Sequence, residues 1–152
     1  MQWKNRVIQT SLAVTTLMGA SAMVQAGDVE RAQEYRQGVM NVFSWNMKAM
    51  GDMMKGKTPY DAAAFAHHAN DLAKATTLDV LPGFPEDSDS GETDARPEIW
   101  LNFEDFTQKL EELRTNAQAL SKAANSGDKE AMGAALGKTG KACKACHDDY
   151  KE

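Results

Sequence analysis

The sequence predicts an all-α chain folded as an antiparallel four-helix bundle. Three observations predict it. Apolar residues recur at steps of three and four in four separate stretches, which is the period of a helix with one buried face. No stretch of useful length alternates β-branched or aromatic residues with polar ones, as a half-buried strand would. The links between the helical stretches are short, with one exception, and short links favour antiparallel neighbours.

Residues 1–26 stand apart from that bundle. Lys4 and Arg6 make a basic start, Val7 to Ala26 carries no charge, and Val24-Gln25-Ala26 fits a small-x-small cleavage site. This is the pattern of a secretory signal peptide. The uncharged run holds too many Thr, Ser, Gly and Gln to read as a membrane span of about 20 apolar residues. The expected mature domain is 27–152, which is 152 − 26 = 126 residues. Its 15 basic and 22 acidic residues give a net charge of −7. Such a surface repels nucleic acid and anionic membrane and expects a partner with a basic patch. Export from a bacterial-type cytoplasm leads to the periplasm, an oxidising compartment.

The first helix is expected over about 28–55, with Arg36, Met40, Phe43, Met47, Met50 and Met54 on one stripe and Gly56 beyond its end. The second starts at Thr58-Pro59-Tyr60-Asp61, with Thr58 as N-cap and Pro59 in the first turn. Its stripe is Ala62, Phe65, Ala69, Leu72 and Thr76, small enough for close approach of a neighbour. Residues 82–96 hold two prolines, two glycines and five acids, and form the one long loop. Pro97 opens the third helix, with Ile99, Phe103, Phe106, Leu110, Leu113, Ala117 and Leu120 on its stripe. Ser126-Gly127-Asp128 breaks the chain before the fourth helix, whose stripe is Met132, Leu136, Thr139, Cys143, Cys146 and Tyr150.

That last stripe carries the chemistry. Cys143 and Cys146 are the two cysteines of the chain, and His147 follows directly. At i, i+3 and i+4 they share one helical face. A disulfide across i and i+3 is strained inside a regular helix. C-x-x-C-H is the attachment signature of haem c. Two thiols one turn apart add to the two haem vinyl groups, and the next residue ligates the iron. A thioredoxin-like redox pair would follow a strand, which is not seen here. A zinc site needs about four ligands, and His67 and His68 point about 100° apart on their helix. A plain pair of buried thiols suits an oxidising compartment poorly. His67 and His68 are given no role.

A haem motif at the C-terminal end of a four-helix bundle resembles the class II c-type cytochromes, particularly cytochrome c′. Four stretches carry the resemblance across the mature chain: Tyr35-Arg36-Gln37 with Met40 a turn later, Gly56 through Pro59-Tyr60-Asp61-Ala62-Ala63, Asp94-Ala95-Arg96-Pro97-Glu98-Ile99-Trp100, and Cys143-Lys144-Ala145-Cys146-His147. The resemblance implies one covalent haem c held by Cys143 and Cys146 near the C-terminal helix, with His147 as axial iron ligand. It places Arg36 and Gln37 beside the haem, Met40 on the distal side of the iron, Asp94 near the haem edge and Lys151 near the proximal imidazole. Phe84 is a looser match to an aromatic of the pocket. It also implies a homodimer through the first two helices.

Met40 decides between two functions. As a sixth ligand it makes a low-spin His/Met electron carrier of the c-556 type. As a mere block it leaves the iron five-coordinate, open to NO and CO. A third reading makes it simply core, since methionine fills irregular gaps. Arg36-Gln37 ahead of Met40 is similar to the five-coordinate subgroup, so the expectation is a haem protein that binds small gases and/or exchanges electrons. An enzyme such as a peroxidase is not expected, because no distal histidine with acid–base support is apparent.

Overall fold

The computed structural model describes residues 19–152, with side chains from 27 onward. The expected export signal therefore lies outside the described residues up to 18. Residues 19–26 form the opening turns of α1, Gly19–Met54, which starts earlier than the sequence pattern indicated. The other helices are α2, Ala62–Ala75; α3, Glu98–Leu101; α4, Phe103–Ser126; and α5, Lys129–Tyr150, with a 3₁₀ turn at Leu81–Gly83. Among the described residues there is no strand, only an isolated bridge between Ala95 and Lys151. No described helix is long and apolar enough to cross a membrane.

The four long helices pack as a ring: α1 on α2, α2 on α4, α4 on α5, and α5 back on α1. Cross-helix bonds give their directions. Asn46 on α1 meets His68 on α2, while Tyr35, eleven residues back, reaches Asp79 beyond the other end of α2. Asn70 on α2 meets Ser121 of α4, and Thr76 meets Arg114. Both pairs run antiparallel. Phe65, Leu72, Met50, Leu120, Met132 and Ile99 are fully buried between them. Each such side chain contributes about 1.5–3 kcal/mol relative to exposure.

Two helix boundaries depart from expectation. Asp61, not Thr58, caps α2; its carboxylate accepts the amides of Ala63 and Ala64 at 2.8 and 3.0 Å. The third helix is broken at Asn102, whose side chain donates to the Glu98 carbonyl at 3.1 Å and whose backbone leaves the helical region. The break re-aims Phe103, which is 37 % exposed rather than on the core stripe. The link into α5 is as expected: Gly127 takes a left-handed φ of 77°, and Asp128 caps Glu130 and Ala131.

Candidate functional site

The face of α5 toward the bundle runs from Met132 through Thr139 and Ala142 to Tyr150. Cys143 and Cys146 lie half-buried on it and pack against the core as free thiols. Burial pushes the Cys143 thiol up, and pushes Cys146 up to about 11. His147 is next along the helix and exposed. Its pKa is lowered, first by partial desolvation and then by the Lys151 ammonium one turn on.

Two contacts set the register of α5 against α1. Met54 reaches Gly133, where an added Cβ would lie 3.2 Å from the thioether methyl, and Met47 reaches Gly140, at 3.9 Å. A step of seven along α1 is matched by a step of seven along α5. Continued by one more step of seven, the same register would bring position 40 of α1 level with position 147 of α5. Met40 is half-buried and packed on the same core as the two cysteines.

One turn before Met40, Arg36 is 3 % exposed. Its Nη1 donates to the Gly83 carbonyl at 2.9 Å and Ser88 Oγ at 2.7 Å, and its Nη2 to the Ser88 carbonyl at 2.6 Å and Thr93 Oγ1 at 2.7 Å. The guanidinium stands over the Phe84 and Trp100 rings at 4.9 and 5.7 Å. Desolvation lowers its pKa, and Asp89 partly restores it. Gly83 must be glycine for this approach, since a Cβ there would lie 2.8 Å from Arg36 Cβ. Gln37 donates to the Glu92 carbonyl at 2.6 Å, from an exposed position. Both residues grip the long loop.

The far end of that loop is fastened to the end of α5. Lys151 pairs with Asp94 at 2.7 Å, the Glu152 amide donates to the Asp94 carbonyl at 2.9 Å, and the Arg96 amide to the Tyr150 carbonyl at 3.1 Å. Asp94 and Lys151 thus meet each other beside the last turn of α5. Phe84 is buried in an aromatic cluster, 4.8 Å from Phe106, which in turn meets Tyr150 edge-on at 5.4 Å.

Several residues of this arrangement have no local signal. Gln33 and Ser88 are buried polar partners of the loop, and Tyr150 is held by Asp105 at 2.6 Å. An arginine on the buried stripe of α1, with a loop rich in hydroxyls, is the trace they leave in the sequence. His67 pairs with Asp71 and His68 with Asn46, on the α1–α2 side. Among the described residues no group of three or more His, Cys, Asp or Glu could hold a metal ion. Two free thiols one turn apart on the core face, with an exposed imidazole beside the second, fit covalent haem better than a protein-only metal cage.

A family model described as Cytochrome C' matches residues 31–151. The chain is 38 % identical over 143 residues to cytochrome c' of Cereibacter sphaeroides, covering 91 % of this chain and 95 % of that protein. The solved structure of cytochrome c prime from Shewanella frigidimarina superposes with a TM-score of 0.78 at 40 % identity, covering 82 % of this chain and 96 % of that one. A nitric oxide complex of a cytochrome c prime variant from Alcaligenes xylosoxidans superposes with a TM-score of 0.73 at 36 % identity, covering 82 % and 96 %.

Proposed function

The chain belongs to the cytochrome c′ family, whose members carry one covalent haem c, and on that premise we propose that it is a periplasmic, five-coordinate haem protein that binds NO and CO and exchanges electrons. When bound, the haem supplies an iron with one position open to a small ligand. Cys143 and Cys146 would anchor it as thioethers, and His147 would ligate its iron. Lys151 disfavours an anionic imidazole and keeps the histidine an ordinary neutral donor. Met40 on α1 would restrict the open side by bulk. Arg36 and Gln37 hold the loop at its edge. The role is binding and electron exchange rather than turnover.

The observation that supports this reading is the α1–α5 register, with Met54 on Gly133 and Met47 on Gly140, which extrapolates to Met40 level with His147. The same observation favours a second reading, a low-spin His/Met electron carrier. Optical and paramagnetic resonance spectra of the ferric protein, with an NO titration of the ferrous protein, separate them. High-spin ferric iron and NO binding in both the native protein and Met40→Ala support the first. A low-spin ferric spectrum abolished by Met40→Ala overturns it.

The homodimer belongs to this proposal in changed form. The small stripe of α2 is used up inside the chain, with Ala69 and Leu72 fully buried. The α1–α2 face instead presents Trp45, 72 % exposed, with Val42 and Leu78. This is the surface offered to a second copy. Trp45→Arg is expected to give a monomer in light scattering.

A further inference from the structure

The second exposed apolar surface lies at the break between α3 and α4. Leu101 is 79 % exposed, and Phe103 stands beside it. Its charge surroundings differ from those of the α1–α2 face. Residues 86–105 contain eight acids and one base, Arg96, a balance of −7. Residues 27–152 as a whole carry 22 acids and 15 bases, also −7. The remaining 14 acids and 14 bases therefore cancel, and the entire charge excess sits in one segment of 20 residues. Glu98 and Glu104, which flank the apolar pair, have no salt-bridge partner among the described residues. In the folded chain Lys151 pairs with Asp94 and Lys109 with Asp105, so the balance of this region with those two lysines is −7 + 2 = −5. Two copies of such a face still repel each other, and a second copy is a poor occupant. A partner with an apolar centre and a basic rim is a good one.

The surface is also connected to the site. Phe103 meets Phe106 at 6.1 Å, and Phe106 meets Tyr150 at 5.4 Å. Tyr150 lies one helical turn beyond Cys146 and His147, and the Arg96 amide ties the start of α3 to its carbonyl.

We propose that Leu101 and Phe103, rimmed by Glu98 and Glu104, form the docking face for a basic one-electron redox protein that exchanges electrons with the haem. The inference rests on the haem reading above. Each encounter moves one electron: the donor's centre is oxidised by one electron and the ferric iron becomes ferrous, or the reverse, with no proton or group transferred. The carboxylates steer the partner, and the apolar pair seats it.

The test uses ferrous holoprotein and, as probe, ferric mitochondrial-type cytochrome c, a small basic haem protein, followed by stopped flow. The double variant Glu98→Gln/Glu104→Gln is expected to slow the second-order rate about tenfold at low ionic strength. The control Glu112→Gln/Glu130→Gln, with the same loss of charge, changes it less than twofold. Leu101→Ser slows the protein probe severalfold and leaves the anionic oxidant ferricyanide within twofold. Equal slowing by both charge pairs, or an unaltered rate for Leu101→Ser with the protein probe, overturns the proposal. NO titration and the ferric spectrum of the same samples report separately on the haem reading, so its failure is not mistaken for failure of the docking face.

Discussion

Arg36→Met tests how the long loop is held. Four hydrogen bonds go at once, but they are unequal. The Ser88 carbonyl keeps the Gln33 amide at 3.0 Å, Ser88 Oγ still donates to the Pro85 carbonyl at 2.8 Å, and Thr93 Oγ1 still accepts from the Ala95 amide at 3.2 Å. The Gly83 carbonyl loses its side-chain partner inside a buried turn, at about 1–3 kcal/mol. The charge-assisted bonds to Ser88 and Thr93 and the stacking on Phe84 and Trp100 add about 2–3 kcal/mol. Relief of the buried guanidinium's desolvation, the cause of its lowered pKa, offsets about 1–2 kcal/mol. The net expectation is a loss of about 3 kcal/mol. With a urea slope near 2 kcal/mol/M, the unfolding midpoint of the holoprotein falls by about 1.5 M. Circular dichroism at the helical band reads it, and limited proteolysis should cut within 86–93 first. A midpoint within about 0.25 M of the native one, or above it, refutes the reasoning: it would mean that burying the charge costs as much as its bonds return.

Three further outcomes follow from the same geometry. Gly83→Ala forces a Cβ to within 2.8 Å of Arg36 Cβ and 3.2 Å of the Ala32 carbonyl, and is expected to cost about 1–3 kcal/mol in the same urea assay. Cys143→Ala or Cys146→Ala is expected to reduce or abolish haem that survives a denaturing gel, while His147→Ala leaves it attached with an altered spectrum. The Tyr150 phenol is pushed up to about 12 from its usual 10.0 by burial and by its bond to Asp105. The folded state then holds a proton that the unfolded state releases, so this contribution is full below pH 10 and drains away as pH rises toward 12. Urea midpoints across that range should fall less steeply in Tyr150→Phe than in the native protein.

The helices were legible because each buries a stripe at a fixed period, and the cofactor motif was legible because one turn holds all of it. Cys143, Cys146 and His147 need no tertiary information to share a face. The boundaries were less so, because they depend on which of several side chains wins a backbone amide or carbonyl. Thr58 and Asp61 are both competent caps, and the carboxylate takes the two amides. Asn102 lies within a stripe of the right period, yet its side chain captures the Glu98 carbonyl and ends the turn. That local competition exposes Phe103, so the surface assigned here to a redox partner was hidden by the same periodicity that revealed the helix.

Arg36 and Lys151 show why the rest needed three dimensions. Each was placed near the haem by resemblance, and each is committed to the long loop, one at residues 83–93 and the other at Asp94. Arg36 is one turn from Met40, and Lys151 is one turn from His147. The loop is therefore fastened a turn away from Met40 and a turn away from His147, the two residues proposed to flank the iron. If the haem is held as proposed, a change in the loop's grip on either end is expected to alter the spacing of α1 and α5 and with it the room left opposite His147. Loop and ligand sphere are then one mechanical unit. On this view Arg36→Met should disturb the ferric spectrum as well as the urea midpoint, whereas a loop that merely covers the site would alter the midpoint alone.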